Sequence, residues 1–224
     1  MTFPLLILRA EPGASATASR AAKLGLSAIR YPLFDVRPCV WEPPDPANFD
    51  AMLLTSANAV RYGGRDLGLY KHLPVYAVGE ATALAARQEG FQIARVGHSG
   101  VQAISDFMGQ RAHARVFHPA GRDRKDFNPG SVMMVPRCVY EAVEAGTAEG
   151  LAAVLPIEAV ALLHSPRGAV RLARLVPMIE RRRLHLAAIS PAVLDAAGVG
   201  WASGDWSTQP RDEALLALAA SLCK

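Results

Sequence analysis

The chain of 224 residues is 51% hydrophobic and 20% charged, the composition of a globular protein with enough apolar surface for two modest cores. A formal charge of +4, from 24 Lys and Arg against 20 Asp and Glu, allows an anionic ligand but lacks the basic concentration expected of a nucleic-acid binder. Cys39, Cys138 and Cys223 are odd in number and have no CxxC spacing, which points to a reduced, cytoplasmic chain.

Leu5 to Leu8 reads as a strand. It is too short for a secretory signal, has no basic residues before it and runs into Arg9 and Glu11. No later apolar run approaches the roughly 18 residues of a membrane span, so no membrane association is expected. Glu11-Pro12-Gly13 breaks the strand before an Ala-rich helix, Ala14 to Leu24, with Gly25 at its C-terminal end. Ser27 to Leu33 reads as a second strand. Pro38, Pro43, Pro44 and Pro46 then fill a segment that regular helix and central strand both exclude, and a first crossing between domains is expected near Asp35.

Short apolar runs follow at Ala51 to Thr55, Val75 to Val78 and Gln92 to Val96, alternating with helical segments at Ala57 to Tyr62, Glu80 to Gln88 and Gly100 to Arg111. That alternation predicts parallel strands with right-handed crossovers. Ala114 to His118 and Ser131 to Val143 continue the strands, and a second crossing is expected near Val143, at Glu144 to Thr147. Strands at Ala159 to Leu163 and Leu186 to Ile189, helices at Gly168 to Leu175 and Pro191 to Ala197, and a closing helix complete the pattern. Ser207 or Thr208 is the expected cap of that last helix, Asp212 and Glu213 complement its dipole, and it is read as ending the fold rather than making chemistry.

The chain repeats itself. Leu53-Leu54-Thr55-Ser56-Ala57-Asn58-Ala59-Val60-Arg61 returns as Leu162-Leu163-His164-Ser165-Pro166-Arg167-Gly168-Ala169-Val170-Arg171, with the serines 109 positions apart. Val75 to Thr82 is answered by Leu186 to Val193. Leu6 to Arg9 is answered more loosely by Val116 to Pro119, each pair leading towards a strand that bears Tyr31 or Tyr140. Two similar parallel-sheet α/β domains are therefore expected.

The six histidines show no HxxxH or His-with-Cys spacing, so no metal is expected; GxGxxG and Walker A sequences are absent, as is a GxSxG elbow, so no cofactor or acyl-enzyme chemistry is expected. Strand-to-helix junctions at Ser56, Gly79, Ser165 and Ser190 remain. Each serine can cap its helix, or the free N–H groups beside it can hold a carboxylate or phosphate. Arg9, directly after a strand, is either a carboxylate clamp or a surface cation. Arg122, Arg124 and Lys125 flank a turn and are further anion candidates, whereas Arg181-Arg182-Arg183 reads as a solvated helix end. Tyr140 is either a buried phenol with a hydrogen-bond partner or a proton donor in a cleft.

In order, Leu8-Arg9, Thr55 to Val60, Ala77 to Thr82, Val139-Tyr140-Glu141, Ser165 to Val170 and Ala188 to Pro191 resemble the uroporphyrinogen-III synthase family over nearly the whole chain. The resemblance implies two α/β domains, residues 1–34 plus 144–224 and residues 35–143, joined by a two-strand hinge with a cleft between them. It implies a cofactor-independent lyase of porphyrin and haem biosynthesis; nothing in the chain demands a partner protein, and a monomer is expected. The substrate would be hydroxymethylbilane, a linear tetrapyrrole with eight carboxylates, closed with inversion of ring D through a spiro intermediate and with loss of water. Tyr140 would protonate the departing hydroxyl. Arg9, Ser56, Asn58, Gly79, Thr82, Arg122, Ser165 and Ser190 would hold the carboxylates. Where the family often carries Thr-Thr or Ala-Thr after its Ser-Pro junction, this chain has Ala192-Val193, which bears on whether that helix start offers a hydroxyl; Thr82 keeps one in the other repeat. Outside that family, the same duplicated layout suits a two-domain module that closes on an anionic ligand without converting it, or a cofactor-free transferase with a second substrate.

Overall fold

The structure is a computed structural model that describes residues 3–98, 100–111, 113–124 and 126–223. By internal contacts the chain divides into a unit of residues 1–35 with 144–224 and a unit of residues 36–143. The first contains β1 (Leu5–Ile7), α1 (Gly13–Lys23) and β2 (Ala28–Arg30). The chain leaves it within β3 (Phe34–Pro38). The second unit runs through β4 (Ala51–Leu54), α2 (Ala57–Tyr62), β5 (Val75–Val78), α3 (Glu80–Gln88), β6 (Ile93–Gly97), α4 (Val101–Gln110) and β7 (Arg115–Gly121). The return is within β8 (Met133–Glu144), after which α5 (Ala148–Val154), β9 (Ala159–Leu163), α6 (Pro166–Leu175), β10 (Leu184–Ala188), α7 (Pro191–Ala197), β11 (Ser203–Trp206) and α8 (Asp212–Leu222) complete the first unit.

The first unit's sheet has the order β11-β10-β9-β1-β2 and the second unit's β3-β8-β7-β4-β5-β6. Matching the repeated motifs, β9 with β4, β10 with β5 and β1 with β7, gives the same order in both sheets, so the duplication visible in the sequence is one of topology. The pairings within both sheets are parallel from β2 to β11 and from β8 to β6. β3, at the edge, runs against β8: Ala145 N–H donates to Leu33 O and Cys39 N–H to Val139 O, so one strand's numbering rises as the other's falls.

Parallel sheets are covered on both faces, which is why their strands read as unbroken apolar runs. On β4 the alternation of side chains sends Met52 and Leu54 into one cluster, with Phe117 and Tyr70, and Ala51 and Leu53 into another, with Tyr76, Ile104 and Met108. Leu5, Ile7, Val160 and Leu162 meet Leu215, Leu216 and Ala219 of α8 in the first unit. The proline-rich stretch is fastened to the second core by side chains: Tyr70 donates to Pro44 O at 2.6 Å and Trp41 Nε1 to Gly63 O at 3.0 Å.

Three local expectations are corrected. α8 starts after Arg211 rather than at a hydroxyl cap; the Ser207 hydroxyl instead donates to Ile189 O and Gln209 O, holding the turn that leaves β11. Arg181 is no solvated helix end: its guanidinium donates to the carbonyls of Ala173, Val176 and Val199 and lies over the Trp201 ring, because a flat five-donor group satisfies several loop carbonyls at once. α5 and β11 were not anticipated. α5 is only 7 residues with one buried side chain, Leu151, and β11 is a wholly exposed edge strand, so neither carries the periodicity that a buried face imposes.

Phe117 is fully buried, with its ring stacked on Tyr70 at a centroid distance of 4.1 Å and beside Trp41 at 5.9 Å. Phe117→Ala is expected to destabilise the protein by about 3–5 kcal/mol through the lost burial and the cavity left behind, measured as a lowered midpoint of urea unfolding.

Candidate functional site

Because the strands of each sheet are parallel, they deliver their C-terminal ends to one edge, where open α/β sheets bind ligands. In the second unit that edge carries Thr55 and Ser56 after β4, Gly79 after β5, Arg122 after β7, and Tyr140 near the end of β8. A pocket of about 290 Å³ lies there, lined by Thr55, Ser56, His118, Arg124, Phe127 and Tyr140 among others. A larger hollow of about 460 Å³ in the first unit is lined by Leu151, Leu155, Leu175 and Val176, with Arg183, the residue before β10. That hollow faces the N-terminal strand edge and is mostly apolar, so it is the poorer candidate for polar chemistry.

Ser56 is the cap of α2: its backbone is extended and its Oγ accepts the Asn58 N–H at 3.2 Å. Asn58 Oδ1 accepts from Arg61 at 3.3 Å. Gly79 caps α3 at φ 82° and ψ 149°, a region that side-chain-bearing residues avoid, which is why glycine stands where the other repeat has Ser190. Thr82, one turn into α3, is buried. Arg122 leans back along its own unit, Nε donating to Glu141 at 2.6 Å, and that carboxylate holds the guanidinium more firmly protonated still. Lys125 lies outside the described residues.

Tyr140 is half-buried, its ring 6.5 Å from that of Tyr62. Gly121 gives it room: a Cβ there would stand 2.7 Å from the Tyr140 Cζ, closer than side chains tolerate. The phenol has no hydrogen-bond partner among the described residues. Beside it, buried His118 meets Thr55 Oγ1 through Nε2 at 3.2 Å, and burial lowers its pKa to about 4, with Arg124 acting in the same direction. The pocket therefore combines a neutral imidazole, two hydroxyls beside a helix start, a phenol, the Arg124 guanidinium and the Asp123 carboxylate.

In the first unit the corresponding edge carries Arg9 after β1, His164 and Ser165 after β9, and Ser190 after β10. Ser165 Oγ accepts the Gly168 N–H at 3.1 Å and caps α6, with Pro166 supplying the preset first turn. Ser190 occupies the cap position of α7 without a side-chain capping bond. Arg9 Nη1 reaches Asp212 Oδ1 at 3.4 Å, so the guanidinium already has a carboxylate partner in its own unit.

Asp212 was assigned only a dipole role, yet it is the hub of this edge. It accepts both-oxygen contacts at 3.0 Å from the buried Thr17 hydroxyl, pairs with Arg20 at 2.9 Å and meets His164 Nε2 at 2.8 Å. Burial opposes its charge, but the hydrogen bonds from His164 and Thr17 and the nearby cations win and lower its pKa to about 2. His164 Nδ1 is buried without a partner among the described residues. The repeat held a signal for this pair of polar centres: Thr55 and His164 occupy the same place, just before the capping serine, in the two copies.

Ser56 and Tyr140 thus share one pocket, with Gly79 next to its Val78 wall; Arg9, Ser165 and Ser190 stand on the other unit's edge. Among the described residues no group of three or more His, Cys, Asp or Glu is arranged to hold a metal ion, and no helix is long and apolar enough to cross a membrane.

Two parallel α/β units of one topology, each with polar groups at the C-terminal edge of its sheet, define a duplicated α/β class of ligand-handling protein. The profile of the family described as uroporphyrinogen-III synthase HemD matches residues 15–217. The chain belongs to the uroporphyrinogen-III synthase family, enzymes of haem biosynthesis that act on a tetrapyrrole. It is similar to the uroporphyrinogen-III synthetase of Helicobacter pylori, with a TM-score of 0.69 and 18% identity over 98% of this chain and 99% of that one. It is also similar to a mutant uroporphyrinogen III synthase of Thermus thermophilus, with a TM-score of 0.51 and 16% identity over 98% of each chain. At such identities these likenesses show the fold. No curated protein matches the chain.

Two acid-sensitive groups, buried His118 and partly buried Asp212, fix the expected pH response. His118, with its pKa lowered to about 4 from 6.5, leaves stability intact above pH 6.5 and withdraws it as the unfolded chain protonates first; the loss approaches about 3 kcal/mol below pH 4. Asp212, lowered to about 2 from 3.8, supports the fold above pH 3.8 by about 2 kcal/mol and loses that support as pH falls towards 2. Urea unfolding across this range should show His118→Gln flattening the upper window and Asp212→Asn the lower.

Proposed function

We propose that the chain is the uroporphyrinogen-III synthase of its cell: it closes hydroxymethylbilane with inversion of ring D. The match over residues 15–217 is the observation that carries this reading. The substrate is already reactive and closes unaided to the unrearranged isomer, so the protein's task is to hold one folded conformer and to ease departure of the hydroxyl.

Tyr140 is assigned the proton donor. Its phenol lines the polar pocket at the C-terminal strand edge, and giving its proton to the leaving hydroxyl releases water and leaves an azafulvene cation. The substituted carbon of ring D attacks that cation, and the spiro-pyrrolenine so formed fragments and recloses inverted. The Tyr140 phenolate recovers a proton from the inverted ring D as that ring returns to an aromatic pyrrole.

Acetate and propionate groups are assigned to the strand-edge donors: Ser56, Asn58 and the backbone of Gly79 and Thr82 with Arg122 in the second unit, and Arg9, Ser165 and Ser190 in the first. The free N–H groups at the starts of α3 and α6, 9 and 10 residues long, are suited to anions. α2, with 6 residues, contributes its local donors more than a dipole. His118, kept neutral, polarises the pocket without adding a charge that would compete for the carboxylates. The chain is further assigned to the cytoplasm as a monomer, consistent with its three free cysteines.

Freshly generated hydroxymethylbilane incubated with the protein should give, after oxidation and separation of isomers, predominantly the type III porphyrin; type I alone would overturn the reading. Tyr140→Phe should slow turnover on the order of 10-fold, below the 10²–10⁴ of an obligatory general acid. An unchanged rate would remove Tyr140 from this role. Gly121→Ala, whose new methyl displaces the Tyr140 ring, should cost turnover at least as much while leaving the unfolding midpoint of the first unit in place.

A further inference from the structure

We propose that Cys39 and Cys138 form a peroxide-sensitive dithiol that closes to a disulfide and thereby restrains the strand carrying Tyr140. Cys39 is the first residue beyond β3 and Cys138 lies on β8, with their sulfurs 3.4 Å apart. The Cys39 backbone is already fastened to β8, its N–H donating to Val139 O at 3.0 Å. A disulfide has an S–S length of about 2.05 Å, so closure needs the sulfurs to approach by roughly 1.3 Å. Rotation of the Cys39 side chain, on a backbone held in place by its bond to Val139, supplies the movement.

The two sulfurs are not equivalent. The single Cys138 S–H is shared between Cys39 Sγ at 3.4 Å and Tyr140 O at 3.5 Å, and Arg122 Nη2 donates to Cys39 Sγ at 3.9 Å, so Cys39 is the sulfur that accepts, the setting that suits a nucleophile. Burial pushes the Cys138 thiol up and keeps its proton on. Both residues are half-buried, within reach of a small oxidant, whereas Cys223 is fully buried among the α8 side chains and stays out of the chemistry.

Cys39 sulfur attacks one oxygen of a hydroperoxide. The O–O bond breaks, the other oxygen leaves as water or alcohol with the Cys39 proton, and Cys39 becomes a sulfenic acid. Cys138 sulfur then attacks Cys39 sulfur; the S–O bond breaks and the hydroxyl leaves as water with the Cys138 proton. Two thiols lose two electrons and two protons, and the peroxide gains them. In a reduced compartment thiol exchange returns the pair to its resting state, the behaviour of a sensor rather than a structural bridge.

Cys138 precedes Tyr140 by two positions on β8, where the pairing with β7 shifts register between Ala120 and Gly121, and the Cys138 sulfur lies 3.5 Å from the Tyr140 backbone carbonyl, to which its S–H can donate. Arg122 bridges Cys39 to Glu141, the next residue after Tyr140. Drawing Cys138 towards Cys39 therefore acts on the immediate supports of the phenol. The effect on turnover rests on the role proposed for Tyr140; formation of the disulfide does not.

The full chain, treated with hydrogen peroxide, blocked with a maleimide and digested, should yield a Cys39–Cys138 linked peptide about 2 Da lighter than the two thiol peptides together, with free thiols falling from three to one. Dithiothreitol should restore all three. Synthase turnover should fall several-fold in step with the linked peptide and return on reduction, while Cys39→Ser keeps its turnover before and after peroxide. Cys39 and Cys138 persisting as thiols, or passing separately to sulfinic acids, would overturn the proposal. So would an equal peroxide loss in Cys39→Ser. A reduced chain that makes no type III isomer would count against the proposed function, leaving the mass readout to decide the disulfide.

Discussion

A parallel sheet buried on both faces has nowhere to meet a ligand except at its strand ends, and that constraint organises this protein. Apolar residues fill both sides of β4, β5, β9 and β10, which fixes the sheets but leaves no polar face. β1, β4, β5, β6, β9, β10 and β11 each then hand the chain to a helix at the same edge. Polar side chains accumulate there because that is where backbone donors are exposed and where the core no longer demands an apolar residue. The candidate chemistry of Tyr140, Ser56 and His118 is a consequence of this layout, as is the Asp212 cluster.

Duplication gave the two edges one plan, and the residues before the capping serines set them apart. Thr55 meets a neutral, buried imidazole and contributes to a pocket that also holds Asp123 and Arg124. His164 meets Asp212, a carboxylate shared with Arg9, Arg20 and Thr17, and the edge becomes a network of opposed charges. The difference is energetic as well as chemical. Exposed pairs such as Arg87 with Glu80 contribute little, since water screens them and two flexible side chains must be ordered. Asp212 is shielded and accepts several hydrogen bonds at once, so its ionised form is favoured despite burial. It joins α1, β1, β9 and α8 at one point.

The α/β class, the parallel strands and the repeat could be read from the chain because each depends on local periodicity: apolar runs of four or five residues, helices bounded by Ser, Gly and Pro, and motifs recurring 109 and 111 positions apart. β5, β9, α2, α3 and α7 have the bounds their residues suggest, since each ends at a residue whose backbone preference is strong. α5 and β11 escaped for the opposite reason, one short and one exposed along its whole length. Arg181 was misread because a run of three arginines looks solvated until the carbonyls it satisfies are brought to it from Val176 and Val199.

By itself, then, the sequence determined which segments are strands and helices, that their order is duplicated, and which junctions expose hydroxyls and glycine. Only the tertiary structure decided who those groups meet. His118 finds Thr55 across 63 positions, Cys138 finds Cys39 across 99, and Asp212 finds Arg9 across 203. The physical reason is that periodicity reports the side of an element that faces the core, whereas a hydrogen bond or ion pair depends on which strands the sheet places side by side.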